Sequence, residues 1–270
     1  MSDEMMLSDL RAFIFDMDGV IYRGAAVLPG AAEFVANLRH AAIPYLFVTN
    51  NSTTPPRAVA ERLIGMGIDA TPDQILTSAD ATALALAKEH NGGRALVIGE
   101  AGIREALVGV GFTLTESFRE ADMVVVGMDR QATYARLREA ARAIQRGIPF
   151  VATNTDRTLP TEEGLVPGAG SLVGMLEIAT NRKARAIGKP APDIFLVALQ
   201  RMGATAAYTG AIGDRPETDI LGGQAAGLRT IAVLTGAGTP EQFAAMHPGP
   251  DWVFADLMEL NRAYFGRVTG

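Results

Sequence analysis

The sequence predicts an α/β protein in which parallel strands alternate with helices and a second α/β domain is inserted into the first. Short apolar runs without polar alternation recur along the chain, and such runs are typical of strands buried on both faces. Amphipathic segments lie between them, which favours parallel sheets with crossover helices. The chain has 270 residues, and its number of strands exceeds what one simple sheet needs. Two α/β units therefore fit the pattern better than one.

The strand candidates are apolar runs that end in turns or polar segments. They are Phe13–Phe15, Tyr45–Val48, Ala95–Ile98, Met123–Val126, Phe150–Ala152, Ala184–Ile187, Tyr208–Ile212, Thr230–Leu234 and Trp252–Ala255. The strands in the middle of the chain end without the paired acids found elsewhere, so we place the insertion there. The prediction is a first domain of residues 1–79 and 182–270 and an inserted domain of residues 80–181.

Three segments carry clear helix signals. Pro29–His40 places apolar residues at helical spacing. The segment Thr54–Met66 begins with prolines, which suit a first helical turn because the N–H that proline lacks has no partner there. Ile194–Met202 is amphipathic and is followed by Gly203, a residue type that commonly terminates helices.

Composition excludes several classes of function. The net charge of −6 gives no indication of a basic surface for nucleic acid, and no apolar run approaches membrane-spanning length. The absence of cysteine excludes disulfides and cysteine-based zinc sites. The N-terminal segment carries Asp3, Glu4 and Asp9 and lacks the basic-then-apolar layout of a signal peptide. We therefore expect a cytoplasmic protein with neither a nucleic-acid nor a membrane partner.

The pair Asp16 and Asp18 is the most informative chemical signal in the chain. Both acids follow the strand candidate Phe13–Phe15, and Gly19 comes next. In open α/β sheets, ligands bind at the carboxyl ends of the strands. Two neighbouring acids there repel each other and lose solvation, and a bound cation would compensate both. One acid could then act as a nucleophile while the other moves protons.

The strand candidate Tyr45–Val48 ends in a segment suited to bind an anion. The residues that follow are Thr49, Asn50 and Asn51, just before a predicted helix. Hydroxyl, amide and backbone N–H groups at a helix N-terminus can hold phosphate oxygens. Taken alone, the segment would most simply cap that helix.

Two later strand candidates supply a cation and further acids. One is followed by Lys189 and the other by Asp214, with Glu217 and Asp219 in the next turn. Carboxylates together with a substrate phosphate suit Mg²⁺. Alone, Lys189 would be a solvated surface charge and the acids would be turn formers. All four strand ends together favour a magnesium site with a phosphate cradle and a fixed positive charge.

Other kinds of site explain these motifs less well. By itself, the segment 16–19 would be a turn or a helix cap. It does not fit a calcium loop, because Val27 stands where that loop needs glutamate. The segment before Lys189 is not a P-loop, because Lys183 stands where the first glycine is required.

The ordered motifs resemble those of the haloacid dehalogenase-like phosphohydrolases. The matching segments are Asp16–Val20, Thr49–Asn51, Lys189 and Gly213–Arg215 with Asp219. The middle of the chain is similar to the NagD and 4-nitrophenylphosphatase-like branch, which has an α/β cap between the second and third motifs. That similarity lies in Val124–Asp129, Ala152–Asp156 and Pro167–Ser171. The resemblance covers nearly the whole chain and implies a Rossmann-like core with a C2-type cap.

The resemblance also implies roles for the site residues. Asp16 is expected to attack phosphorus and form an aspartyl-phosphate, and Asp18 to act as general acid and then general base. The phosphoryl group is expected to contact Thr49, Asn50, Asn51 and Lys189. The expected ligands of Mg²⁺ are the Asp16 carboxylate, the Asp18 carbonyl and Asp214, with Asp219 acting at one remove.

The implied activity is Mg²⁺-dependent hydrolysis of small phosphomonoesters. Sugar, glycerol, glycolate and nucleotide monophosphates all fit, and 4-nitrophenyl phosphate would serve as an artificial substrate. The resemblance also allows a homodimer through the cap. One alternative is a phosphomutase or phosphotransferase that uses the same Asp16 nucleophile. Another is a binding protein with a relict site, against which the intact acids and lysine argue.

Overall fold

Parallel sheets form the centre of each of the two units into which the chain divides. The computed structural model describes residues 5–161 and 163–266. The first unit takes the chain up to Thr49, Arg57–Leu76 and the chain from Pro190. The second unit takes Asn50–Pro56 and Thr77–Lys189. The predicted domain boundaries stay a prediction.

The strands are short, and most follow the apolar runs of the sequence. They are β1 (Ala12–Phe15), β2 (Tyr22–Arg23), β3 (Ala26–Val27), β4 (Tyr45–Thr49), β5 (Ile75–Thr77), β6 (Gly93–Ile98), β7 (Phe112–Thr115), β8 (Met123–Val126), β9 (Phe150–Ala152), β10 (Thr158–Thr161), β11 (Gly164–Pro167), β12 (Arg185–Ala186), β13 (Thr209–Gly213), β14 (Arg229–Val233) and β15 (Trp252–Phe254).

Helices connect most of these strands. They are α1 (Ala31–His40), α2 (Pro56–Gly65), α3 (Ser78–Glu89), α4 (Ala101–Gly109), α5 (Tyr134–Gln145), α6 (Ala169–Thr180), α7 (Asp193–Met202), α8 (Leu221–Ala225), α9 (Pro240–Ala244) and α10 (Leu257–Phe265). A π-helical turn, Pro216–Ile220, precedes α8. The three predicted helices correspond to α1, α2 and α7, with boundaries that differ by one or two residues.

The sheet of the first unit reverses its strand order at β1. Its order is β15-β14-β13-β1-β4-β5, and β1 pairs in parallel with both β13 and β4. β4 and β5 therefore lie on one side of β1, and the later strands β13, β14 and β15 lie on its other side. In open α/β sheets, ligand sites lie at the carboxyl ends of the strands where the order reverses. Asp16 and Asp214 are the residues that directly follow β1 and β13.

Aromatic side chains anchor β1 within the core of the first unit. Phe13 and Phe15 are fully buried, and both meet Phe34 of α1 edge to face, with ring centroids 5.4 and 5.8 Å apart. Phe13 also meets Tyr264 of α10 at 5.1 Å. Such pairs contribute about 0.5–1.5 kcal/mol each beyond the area they bury. These rings hold one face of the strand that carries Asp16. Ala12 and Ile14 on its other face are buried too, as the unbroken apolar run predicts.

The second unit is built on a separate parallel sheet. Its strand order is β12-β9-β8-β6-β7, and every pair in it is parallel. Val124 and Val126 of β8 pack with Leu176 of α6 in its core. The predicted α/β class, with one parallel sheet and a second parallel α/β sheet inserted in sequence, is confirmed.

The strand that precedes Lys189 lies in the second sheet. The predicted strand Ala184–Ile187 is reduced to β12, which pairs with β9 at the edge of this sheet. Beyond β12, Ile187 and Gly188 donate backbone N–H groups to the carbonyls of Ala152 and Thr153, at 3.1 and 2.8 Å. The chain leading to Lys189 therefore follows β9 and does not join the sheet that carries Asp16.

The sequence patterns do not predict several of the short strands. β7 is an edge strand with one buried residue, Phe112, so its apolar signal is weak. β2 pairs with β3 and β10 pairs with β11 in antiparallel hairpins of two and four residues per strand. A two-stranded ribbon is not covered on both faces, so its strands need no unbroken apolar run.

The two remaining sequence arguments concern the N-terminus and membranes. Asp3 and Glu4 lie outside the described residues. Among helices in residues 5–161 and 163–266, none combines the length and apolar character needed to cross a bilayer.

Candidate active site

Three carboxylates meet at the strand ends of the first unit. Asp16, Asp214 and Asp219 each offer an oxygen atom, and these atoms lie within 4.8 Å of one another. Asp214 is 2 % exposed and Asp219 is 3 % exposed, while Asp16 is half-buried. Like charges this close and this poorly solvated repel strongly unless a cation or protons compensate them. We call these three residues the carboxylate cluster.

The sheet itself places Asp16. Its backbone N–H donates to the carbonyl of Ile212 at 2.8 Å, which extends the pairing of β1 with β13 by one residue. The neighbouring strand then ends at Gly213, and Asp214 follows. Adjacent parallel strands that end side by side therefore bring these two acids together.

Two loops enclose Asp214. Its carbonyl accepts the N–H of Gly238 at 2.9 Å, and its Oδ2 accepts the N–H of Ala237 at 2.6 Å. A Cβ at Gly19 would lie 2.5 Å from Oδ2, and a Cβ at Gly236 would overlap the same carboxylate. Both positions therefore need glycine, because no side chain fits between the backbone and Asp214.

The π-helical turn Pro216–Ile220 supplies Asp219. Its N–H donates to the carbonyl of Arg215, and its Oδ2 accepts the N–H of Arg215, each at 3.1 Å. A Cβ at Gly213 would overlap the Asp219 side chain, so the strand end and the turn are in close contact. Glu217 of the same turn is exposed and is not among the three clustered acids.

Asp18 is exposed, and its carboxylate is not part of the carboxylate cluster. Its backbone forms an isolated bridge with Tyr22, and the N–H of Gly19 donates to the Tyr22 carbonyl at 2.8 Å. Burial raises the pKa of the Tyr22 phenol to about 12, against a smaller lowering by the Arg62 guanidinium, which lies 4.3 Å from the ring centroid. The phenol is therefore neutral at physiological pH.

A second set of predicted site residues meets in the second unit. The Asn50 Nδ2 donates to both carboxylate oxygens of Asp156, at 3.1 and 3.3 Å, and to the carbonyl of Lys189 at 3.0 Å. The Asn154 Nδ2 donates to the carbonyl of Asn50 at 2.8 Å, and its Oδ1 accepts the N–H of Asp156 at 3.1 Å. Lys189 is 4 % exposed. We call these four residues the Asn50 cluster.

The side-chain amide of Asn50 is thus committed to protein acceptors. Its N–H groups serve Asp156 and the backbone at Lys189. A phosphoryl oxygen would have to meet Asn50 through its backbone N–H instead. Asn154 and Asp156 both contact Asn50.

The other two predicted phosphate contacts occupy different settings. Thr49 is the half-buried last residue of β4, next to β1 in the sheet of the first unit. Asn51 is exposed, and its Oδ1 accepts the N–H groups of Thr53 and Thr54 at 2.7 and 3.3 Å. The Asn51 side chain therefore closes the turn that leads into α2.

Comparisons with known proteins show which family the chain belongs to. The family model described as "Haloacid dehalogenase-like hydrolase" matches residues 13–113, and a related model matches residues 186–260. The acid sugar phosphatase of Staphylococcus epidermidis is 37 % identical over 247 residues, which cover 92 % of this chain and 95 % of that protein. The chain belongs to the haloacid dehalogenase-like hydrolase family. The resemblance inferred from the motifs is confirmed.

Solved structures of phosphatases also superpose on this chain. A 4-nitrophenylphosphatase from Thermotoga maritima is 35 % identical, with a TM-score of 0.90, covering 96 % of this chain and 98 % of that one. A glycerol phosphate phosphatase from Mycobacterium tuberculosis, solved in complex with magnesium, is 35 % identical with a TM-score of 0.88, covering 94 % and 77 %. The p-nitrophenylphosphatase branch with an inserted cap is therefore confirmed for this haloacid dehalogenase-like hydrolase.

The loop after β14 is the part of this haloacid dehalogenase-like hydrolase site that sequence reasoning missed. It contains Thr235, Gly236 and Ala237, and it encloses Asp214. It has no acid or base, so a search for reactive side chains passes over it. The available signal was the pair Gly236 and Gly238 directly after an apolar strand, since glycines at a strand end often allow close backbone approach.

Proposed function

We propose that this chain is a Mg²⁺-dependent phosphatase that hydrolyses small phosphomonoesters through an aspartyl-phosphate intermediate. The observation that carries the proposal is the carboxylate cluster at the order reversal of the sheet. The relatives add support, because they are phosphatases of sugar phosphates, glycerol phosphate and 4-nitrophenyl phosphate. The physiological substrate is thus expected among small phosphate monoesters.

The donor set of the carboxylate cluster fits Mg²⁺. Hard oxygen ligands from a few carboxylates, with positions left for a substrate phosphate, are typical of magnesium sites. Two of the three acids are almost completely buried, so a divalent cation would offset their mutual repulsion. The ligands we propose are the Asp16 carboxylate, the Asp18 carbonyl and Asp214, with Asp219 acting through Asp214 or water. When bound, the ion neutralises charge on the phosphoryl group and so permits attack by an anion.

Two aspartates perform the proposed chemistry. An Asp16 carboxylate oxygen forms a bond to phosphorus while the ester P–O bond breaks, and Asp18 donates its proton to the leaving oxygen. The Asp18 carboxylate then takes a proton from water, whose oxygen attacks phosphorus and releases Asp16 and inorganic phosphate. The exposure of Asp18 suits this role, because it must exchange protons with substrate and water.

Phosphoryl binding is proposed for Thr49, Asn50, Asn51 and Lys189. The Thr49 hydroxyl and the backbone N–H groups of Asn50 and Asn51 would donate to phosphoryl oxygens. Lys189 would contribute a point charge, which is sufficient because no bidentate geometry is required. Asp156 and Asn154 would support this set by fixing Asn50.

Three broader expectations belong to the same proposal. Residues 1–79 and 182–270 would form the catalytic core, and residues 80–181 the cap that excludes water and sets specificity. The protein would act in the cytoplasm. It would form a homodimer through the cap, which light scattering on the purified chain can test.

The decisive experiment measures inorganic phosphate released from 4-nitrophenyl phosphate, glycerol phosphate and sugar phosphates, with and without Mg²⁺. We expect Mg²⁺-dependent turnover by the native chain. Asp16→Asn should lower it by roughly 10³-fold or more, because the nucleophile is lost. Glu217→Gln is the matched control, since Glu217 is an exposed acid outside the carboxylate cluster and should keep native turnover.

Two results would overturn the proposal. One is the absence of phosphate release from every substrate by folded protein in the presence of Mg²⁺. The other is native turnover by Asp16→Asn, which would exclude this residue as the nucleophile. Transfer of phosphate to an added alcohol, without release to water, would identify a phosphotransferase instead.

A further inference from the structure

We infer that Thr235 and Arg23 are positioning residues that hold the metal-ligand carboxylate of Asp214 in place, an inference that rests on the proposed function. Neither residue belongs to the carboxylate cluster. Two segments enclose Asp214: residues 17–21 (the aspartate loop) and residues 234–238 (the glycine loop). Thr235 connects these two loops, and Arg23 connects the hairpin of β2 and β3 to the glycine loop. Each segment places one glycine directly against the Asp214 side chain, at Gly19 and Gly236.

Thr235 joins the two loops by a direct hydrogen bond. Its Oγ1 donates to the carbonyl of Gly19 at 2.6 Å. Gly19 has a φ of +89°, and its α-carbon faces the Asp214 carboxylate so closely that a Cβ there would lie 2.5 Å from Oδ2. A hydrogen bond on the Gly19 carbonyl therefore fixes one wall of the Asp214 enclosure.

Arg23 makes a second connection from the hairpin of β2 and β3. Its guanidinium donates to the carbonyl of Thr235 and, at 3.2 Å, to the carbonyl of Gly236. Gly236 forms the opposite wall, and the next residue, Ala237, donates its N–H to Asp214 Oδ2 at 2.6 Å. One arginine thus holds two consecutive carbonyls of the loop that directly binds the carboxylate.

These contacts act on the orientation of Asp214 more than on the stability of the fold. Arg23 is exposed, and the carbonyls that it binds belong to a loop rather than to the sheet. Groups that orient a metal ligand typically change metal affinity by about 10–100-fold when they are removed. Loosening either loop should therefore weaken Mg²⁺ binding while the two sheets remain folded.

Arg62 of α2 provides a matched control, because it binds the same hairpin. Its guanidinium donates to the carbonyl of Gly24 at 2.7 Å and lies over the Tyr22 ring. It therefore also binds a carbonyl of the segment that carries Arg23. The hydrogen bond of Arg62 goes to the turn of the hairpin and not to the glycine loop. Loss of Arg62 should lower the melting temperature without a matching loss of metal affinity.

The test is isothermal titration of the full chain with MgCl₂, together with thermal melts of the metal-free protein. We expect Thr235→Val to raise the Mg²⁺ dissociation constant about tenfold and Arg23→Met to raise it several-fold. Thr235→Ser keeps the hydroxyl and should restore nearly native affinity. Arg62→Met should change the constant less than twofold. Melts that stay cooperative show that each variant is folded.

Each outcome has a defined meaning. If native protein binds no Mg²⁺, the proposed function fails, and this inference fails with it. If native protein binds Mg²⁺ and Thr235→Val and Arg23→Met bind it equally well, the positioning role alone is wrong. The same conclusion follows if Arg62→Met weakens binding as much as Arg23→Met does. Because Arg23 is exposed, its variant remains informative if Thr235→Val does not fold.

Discussion

At the scale of single residues, the absence of a side chain matters as much as its presence. Gly19 and Gly24 both have positive φ, +89° and +59°, and both lie in the segment that follows β1. They differ in their surroundings. A Cβ at Gly19 would press on Asp214, whereas a Cβ at Gly24 would meet nothing within 4 Å. Alanine at Gly24 would therefore introduce backbone strain alone. Alanine at Gly19 would introduce the same strain and would also displace Asp214, a candidate metal ligand.

We predict that Gly19→Ala and Gly24→Ala have different effects. A positive φ costs alanine roughly 1–2 kcal/mol relative to glycine, so both variants should lose about this much stability in chemical denaturation. Only Gly19→Ala should also raise the Mg²⁺ dissociation constant about tenfold or more, because the new methyl group displaces Asp214. Equal metal affinity in the two variants, measured by titration calorimetry, would contradict this account of the enclosure.

The sequence indicated which kinds of residue form the site. It did not indicate which of several candidates points inward or which atoms are engaged by other parts of the protein. Asp16 and Asp214 were predictable, because paired acids at strand ends are hard to explain by stability. The choice of Asp219 over Glu217 depends on the π-helical turn, which rotates one acid inward and leaves the other exposed. The commitment of the Asn50 amide to Asp156 depends on a contact between residues 106 positions apart. Local patterns contain no information about such a contact.

At the scale of secondary-structure elements, the two terminal regions of the first unit are joined through α10. The Tyr264 hydroxyl donates to the carbonyl of Leu10, just before β1, at 2.8 Å, and the bond is buried. Burial raises the pKa of this phenol, in keeping with a neutral donor. The Tyr45 hydroxyl of β4 is also buried, but in the described part of the chain it has no hydrogen-bond partner.

Loss of the hydroxyl should therefore change the free energy of unfolding in opposite directions at the two tyrosines. Tyr264→Phe should destabilise the protein by about 1–3 kcal/mol, because the Leu10 carbonyl is left buried without its donor. Tyr45→Phe should be neutral or stabilise it by up to about 1 kcal/mol, because an unsatisfied polar group is removed. Urea unfolding curves of the two variants measure both values. The interpretation is wrong if Tyr45→Phe costs as much as Tyr264→Phe.

Strand prediction followed apolar runs rather than burial itself. β5 is buried at every position but has only two apolar residues, Ile75 and Leu76, and was missed. β1 and β8 are buried at every position, and their unbroken apolar runs made them evident. β7 is an edge strand and β11 is exposed at every position, so neither needs an apolar run. β12 was predicted, but its sheet was not, because its pairing with β9 depends on tertiary structure.

At the scale of the whole molecule, each unit has its own sheet and its own hydrophobic core. The carboxylate cluster belongs entirely to the first unit. A ligand of the cluster therefore stabilises that unit directly. The second unit supplies an internal reference within the same chain.

We predict that Mg²⁺ stabilises the first unit by mass action. Metal at about 100 times its dissociation constant should add about 2.7 kcal/mol to the unfolding free energy. Hydrogen exchange read by mass spectrometry should slow in the aspartate loop, in the turn with Asp219 and in the glycine loop. Exchange in β8 provides the reference. Asp214→Asn should remove the effect, because the cluster loses a charged ligand that two loops hold in place. An equal slowing of exchange in that variant would show that Mg²⁺ acts elsewhere, since a cation bound outside the cluster would not depend on Asp214.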